Sequence, residues 1–191
     1  MSSDKPRVLI TGASGLIGGL TWRNLGHKYE FSGLNRRAVP EIPNTQGDIS
    51  DFDTILPAFE GIDMVVHMAN FTGDSDSWDD HLNAGIIGTR NVYEAARLAG
   101  VKRVVFASSG AAATGFERIS PYDAIAEGSY DRVPENFTKI THETTWPSGI
   151  YGAAKVWGEA IGRHFADAYG MSVLCVRKVA SYRLSLCFFF P

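Results

Sequence analysis

Cysteine is scarce in this chain of 191 residues: Cys175 and Cys187 are the only two. They are too few for a disulfide framework and lack metal-ligand spacing. That scarcity suits a reducing compartment, and the expected location is cytoplasmic. The five histidines, His27, His67, His81, His142 and His164, form no HxxxH pair and no cluster with cysteine. No metal site is therefore expected, and His67, which closes an apolar run, reads as a packed or hydrogen-bonded histidine. Concentrated positive charge is missing too. Lysines and arginines are scattered and the formal net charge is -3, which leaves no footprint for nucleic acid or an anionic membrane surface. No apolar run approaches the roughly 18 residues of a membrane span, and the opening MSSDKPR carries no apolar signal region. What is present is 45% hydrophobic residues, enough for one globular domain with a core, whose expected partner is a small molecule.

Apolar runs alternate with helical patterns along the chain. RVLIT (7–11) precedes a helical stretch over 15–26; YEFSGL (29–34) and a short segment near 44–48 precede a helix over 51–59. IDMVVHMA (62–69), a helix over about 78–99, KRVVFASS (102–109), a helix over about 149–169 and MSVLCVR (171–177) continue the rhythm. Runs that are apolar on successive residues, such as VVFA, imply strands buried on both faces, and the helices between them imply parallel crossovers. The expected fold is α/β, a Rossmann-type doubly wound parallel sheet with helices on both faces. Residues 110–148 read as a long connection with little periodicity, a length that in compact domains points to function or disorder.

LITGASGLIGG (9–19) needs glycine for mechanical reasons. Gly12 allows a tight turn after the strand, Gly15 lets backbone approach a pyrophosphate, and Gly18 lets the following helix pack close to the sheet. The helix that starts near Leu16 and Ile17 then presents free N–H groups and its positive dipole end to an anion. Tyr151 and Lys155 lie four apart on a helix and share a face. A free phenol, with a pKa of about 10, needs a nearby ammonium before it can act as a base at neutral pH, and Lys155 is the candidate to supply it.

The GxxGxxG spacing resembles the short-chain dehydrogenase/reductase superfamily of extended type, the NAD-dependent epimerase/dehydratase family. GDISD (47–51), HMAN (67–70), NAGIIGTRNVYEAARLAGVKRVVFASS (83–109) and THETTWPSGIYGAAKVWGE (141–159) are similar to the segments that follow in that family. The resemblance implies that Asp48, with Ile49 alongside, contacts an adenine. It implies that Met68, Ala69 and Asn70 line the cofactor, that Asn83 is a structural asparagine, and that Tyr151 and Lys155 are catalytic. Lys155 would also hold the nicotinamide ribose. Ser109 stands where the family positions the substrate hydroxyl; Ser108 and Thr72 are further substrate candidates. At the end of the second strand Asn35 replaces the acid usual in NAD-binding members, and Arg36 and Arg37 follow it, so the cofactor expected is NAD(P) with NADP ahead of NAD.

The implied activity is NAD(P)-dependent sugar or nucleotide-sugar epimerisation or dehydration. FASSGAAATG also resembles uronate dehydrogenases, which makes net oxidation of a sugar the alternative. The resemblance covers residues 7–177, and a homodimer through the helices at 78–99 and 149–169 is expected from it. The ending KVASYRLSLCFFFP departs from the family. Residues 1–177 are thus expected to form the dinucleotide-binding domain with the catalytic Ser, Tyr and Lys, and 178–191 an atypical tail, with the family's substrate lobe largely missing. A cofactor-binding module with impaired catalysis is the third reading.

Overall fold

The computed structural model describes residues 5–71 and 77–178. Thr72 and the tail past Lys178 lie outside the described residues. The strands are β1 (Arg7–Thr11), β2 (Glu30–Asn35), β3 (Asn44–Gln46), β4 (Met64–His67), β5 (Arg103–Ser109) and β6 (Ser172–Lys178). All pair in parallel, in the order β3-β2-β1-β4-β5-β6. The strand order reverses between β1 and β4, so the connections leaving their carboxyl ends diverge and open a crevice.

Alternation along β1 splits the core into two layers. Leu9 joins Leu34, Val65, Val104 and Phe106 on one face, whereas Val8 and Ile10 join Phe31 and Val39 on the other. The second layer is covered by α1 (Leu16–Leu25) through Trp22 and Leu25. The first lies under α2 (Phe52–Ile55), the helix that runs from α3 (Trp78–Asp80) through a π-helical segment (His81–Ile87) into α4 (Gly88–Leu98), and α6 (Ile150–Tyr169). The single helix expected over 78–99 thus has a widened middle. Asn83, expected to be structural, is exposed in that segment, and its carbonyl accepts the Gly88 N–H.

Glycine sets how closely α6 approaches β5. A Cβ at Gly158 would overlap the Phe106 ring, one at Gly152 the Ala111 carbonyl, and one at Gly162 would lie 2.6 Å from the Tyr93 hydroxyl. The same approach buries Ala154 and Lys155.

The connection 110–148 corrects the sequence reading, because it is built rather than irregular. α5 (Tyr122–Glu127) lies within it. Phe116 packs edge-on to Trp146 at 5.1 Å and to Tyr122 at 5.5 Å. Gly115 N–H donates to the Trp146 carbonyl at 2.7 Å and Trp146 N–H to the Ala112 carbonyl at 2.9 Å. Aromatic residues far apart in sequence make this small cluster, so no periodicity announces it.

At the crevice, Thr11 ties β1 to β4. Its hydroxyl oxygen accepts the N–H of Met68 at 3.2 Å and of Ala69 at 3.1 Å, so its one proton goes to His67 Nδ1 at 2.7 Å. His67 is therefore protonated on Nε2, which donates to the Thr89 hydroxyl at 3.2 Å. It is fully buried; burial, helped by the Lys155 charge, pushes its pKa down to about 3.

An imidazole with a depressed folded pKa contributes full stability above its unfolded value, and that stability is lost as pH falls from about 6.5 toward 3. The unfolding free energy is expected to drop by up to about 1.4 kcal/mol per pH unit in that window from this group alone. His67→Gln should flatten the slope, as read from urea midpoints measured between pH 4.5 and 7.5.

Candidate functional site

The crevice begins at the turn after β1. Gly12 has φ +78°, and a Cβ there would lie 2.9 Å from the Ala69 N, so both its conformation and its neighbour demand glycine. A Cβ on Gly18 would collide with the Gly12 carbonyl, whereas one on Gly15 would meet only that carbonyl, at 3.2 Å, with nothing else within 4 Å. Gly15 caps α1 without a side-chain hydrogen bond; Leu16, at the helix start, is exposed and Ile17 half-buried. The first turn of this ten-residue helix thus starts beside the Gly12–Gly15 turn, and helix N-termini favour anions.

Asn35 ends β2 beside this turn, since the Gly12 N–H donates to the Leu34 carbonyl at 3.0 Å. It is buried, and its Nδ2 has no hydrogen-bond partner among the described residues. Arg36 and Arg37 are exposed. Asp48 accepts the Ser50 N–H and hydroxyl on one carboxylate oxygen, at 2.9 and 2.8 Å. The Ile49 side chain is buried in the core against Gly88, so its backbone is the part beside Asp48. Met68, Ala69 and Asn70 follow β4 half-buried, the first two held by Thr11. These features fit a dinucleotide: an open glycine cradle at a helix N-terminus, with a buried, unpaired amide one strand away.

On the far side, the Gly152 contact draws the start of α6 against the turn after β5, which brings Tyr151 to Ser109. Burial pushes the Tyr151 phenol up, and a hydrogen bond with Ser109 opposes it. Lys155 Nζ donates to the Ala107 carbonyl at 2.7 Å and stands 5.5 Å from the centre of the Tyr151 ring. Burial pushes its own pKa down to about 8. Burial thus governs the phenol in this arrangement, in which the Lys155 ammonium is engaged by the Ala107 carbonyl. Ser108, the further substrate candidate on β5, faces another way. Its side chain points to the opposite face of β5 from Ser109 and donates to Glu159 at 2.5 Å, so it does not join Tyr151.

Residues 8–182 match the model of the NAD-dependent epimerase/dehydratase family. The chain belongs to that family. It is 35% identical over 179 residues to an L-arabinose 1-dehydrogenase (NAD(P)(+)) of Haloferax volcanii, covering 90% of this chain and 65% of that protein. A mutated uronate dehydrogenase superposes with a TM-score of 0.72 at 27% identity, over 90% of this chain and 58% of the other. A UDP-galactose 4-epimerase does so with a TM-score of 0.71 at 28% identity, over 90% and 55%. The chain therefore spans roughly three fifths of these relatives.

Several organising residues of this epimerase/dehydratase-family chain escaped sequence reasoning. Asn91 Nδ2 donates to the carbonyls of Ile49 and Ser50, each at 3.1 Å, and so fixes the loop that carries Asp48. Thr89 and Asn91 are polar residues on the buried face of α4, a mismatch with the pattern that could have marked them. Glu159 is gripped by Arg177 at 2.7 and 2.8 Å, and Arg177 also donates to the Thr144 carbonyl at 2.9 Å. Burial pushes the Glu159 carboxyl up, but the Arg177 and Ser108 hydrogen bonds outweigh it and hold it low. This pair joins β6, α6 and the connection before Tyr151, and nothing local in sequence links the three. Among the described residues no group of His, Cys, Asp or Glu could hold a metal ion, and no helix is long and apolar enough to cross a membrane.

Lys155, 3% exposed, is held at a cost to stability that is present below about pH 8 and relieved as pH rises toward 10.5. Lys155→Met is expected to raise unfolding stability at pH 7 by about 1–2 kcal/mol, the desolvation cost less one hydrogen bond. The difference between variant and wild type should close over that pH range, as followed by chemical denaturation.

Proposed function

We propose that this chain binds NAD(P) across the carboxyl ends of β1 and β4 and oxidises a sugar hydroxyl, with Tyr151 accepting the proton. The observation that carries the reading is the meeting of Ser109, Tyr151 and Lys155 at the carboxyl end of β5, two strands along the same sheet edge from the glycine turn. Gly12, Gly15, Leu16, Ile17 and Gly18 would hold the pyrophosphate on the N-terminus of α1. Asn35 and Arg36 would take the adenosine ribose, Asp48 and the Ile49 backbone the adenine. Met68, Ala69 and Asn70 would line the inner half, and Lys155 would hold the nicotinamide ribose. The nicotinamide, when bound, supplies the hydride acceptor.

The residues divide the remaining work. Ser109 orients the substrate hydroxyl, and Tyr151 takes its proton. Lys155, 5.5 Å from the phenol ring in a poorly solvated site, attracts the phenolate that must form. Net oxidation is the favoured outcome, supported by relatives named as dehydrogenases of arabinose, glucose 6-phosphate and uronate. Epimerisation is the second reading, supported by the likeness to UDP-galactose 4-epimerase. Asn35, in place of an acid, and Arg36 support NADP over NAD. A cytoplasmic setting belongs to the same reading, as Cys175 is a free thiol. A second copy is the proposed partner, supported by exposed Trp78, Ile87 and Leu98 on the helix at 78–98 and Trp157 and Tyr169 on α6.

Incubation with L-arabinose or a hexuronate and NAD or NADP should yield reduced cofactor equimolar with product. Product without reduced cofactor would establish the epimerase reading instead, and cofactor binding without turnover of any sugar would leave a binding module. Tyr151→Phe is expected to lower kcat by about 100-fold or more with the cofactor dissociation constant little changed. NADP should bind more tightly than NAD; the reverse order would sink that preference.

A further inference from the structure

Two buried histidines make opposite use of their ring nitrogens. His67 satisfies both with threonine hydroxyls. His81, at the start of the π-helical segment and 3% exposed, leaves Nδ1 buried with no hydrogen-bond partner among the described residues. Its ring stands edge-on to Phe71 with centres 5.3 Å apart and lies 6.3 Å from the Tyr151 ring. Phe71 belongs to the segment leaving β4 and Tyr151 to the start of α6, so the imidazole sits between the two walls of the catalytic end. Asn70, beside Phe71, also leaves its Nδ2 buried with no partner among the described residues.

An unpaired buried nitrogen is destabilising, and an apolar ring would fill the same aromatic surroundings without that cost. Gly85, one turn beyond His81 and also buried, adds no side chain where a Cβ would lie 3.5 Å from Asn70 Oδ1 and 2.9 Å from the Ala154 Cβ. Two unpaired polar nitrogens thus flank Phe71 next to the residue read as the proton acceptor.

We propose that His81 is a substrate-contacting, specificity-determining residue that hydrogen-bonds a sugar hydroxyl neighbouring the one that reacts at Tyr151. A neutral imidazole nitrogen either donates or accepts, and a hydroxyl does both, so the match holds for either tautomer. The assignment rests on the sugar-oxidoreductase reading above.

The test pairs a protein change with a substrate change. Full-length wild type, His81→Phe and His81→Asn are assayed for kcat/KM on L-arabinose and a hexuronate, and on the monodeoxy analogues of whichever is turned over. His81→Phe keeps the aromatic contact and removes the nitrogen. It is expected to lower kcat/KM for the parent sugar about tenfold or more, while the analogue lacking the contacted hydroxyl is handled equally by both proteins. His81→Asn should recover part of the loss. An equal loss on every analogue, or no loss on any, overturns the assignment. Wild type that binds NAD(P) yet turns over no sugar refutes the functional reading, and the assignment falls with it.

Discussion

One hydroxyl holds together the two strand ends between which a dinucleotide would lie. Thr11 accepts from the backbone of Met68 and Ala69 and donates to His67, so the turn after β1 cannot drift from the end of β4. Gly12 completes the fit by leaving no Cβ to meet the Ala69 backbone. His67 passes the constraint on to Thr89 in α4, whose neighbour Asn91 fixes the loop bearing Asp48. Side-chain bonds and the backbone of α4 thus connect the glycine turn to the loop bearing Asp48. Every link is a buried polar group with its partners satisfied, the condition under which such networks rigidify a core.

The end of the crevice at Tyr151 has the opposite character. The close approach of α6 to β5 drives Lys155 into a poorly solvated position and lifts the Tyr151 phenol, while His81, Asn70 and Asn35 keep unpaired buried nitrogens. A fold tuned for stability alone would relieve these groups. Their position along one crevice is what a site that recognises polar ligands looks like before its ligands complete it.

The sheet was legible because parallel strands buried on both faces leave near-continuous apolar runs, as in VLIT and VVFA, and because glycine spacing reports a mechanical need. Helical spacing put Tyr151 and Lys155 on one face, and the family resemblance added Ser109 at the end of β5. What escaped depends on contacts between distant segments. Ser108 and Ser109 are neighbours in sequence, yet the alternation of β5 sends one to Glu159 and the other to Tyr151. The aromatic cluster of Phe116, Tyr122 and Trp146 has no period to detect. The packing of the Ile49 side chain against Gly88 likewise joins segments that are distant in sequence.

The central claim is that the glycine turn and the N-terminus of α1 form a working dinucleotide cradle. Calorimetric titration of the chain with NAD and NADP, alongside a Gly15→Val variant, tests it most directly. A Cβ at Gly15 meets only the Gly12 carbonyl at 3.2 Å, so the variant should fold while blocking the approach of a pyrophosphate. Saturable binding to the wild type that is lost in the folded variant is the predicted result. A folded wild type that binds neither cofactor, or a variant that binds as well as the wild type, would contradict the account.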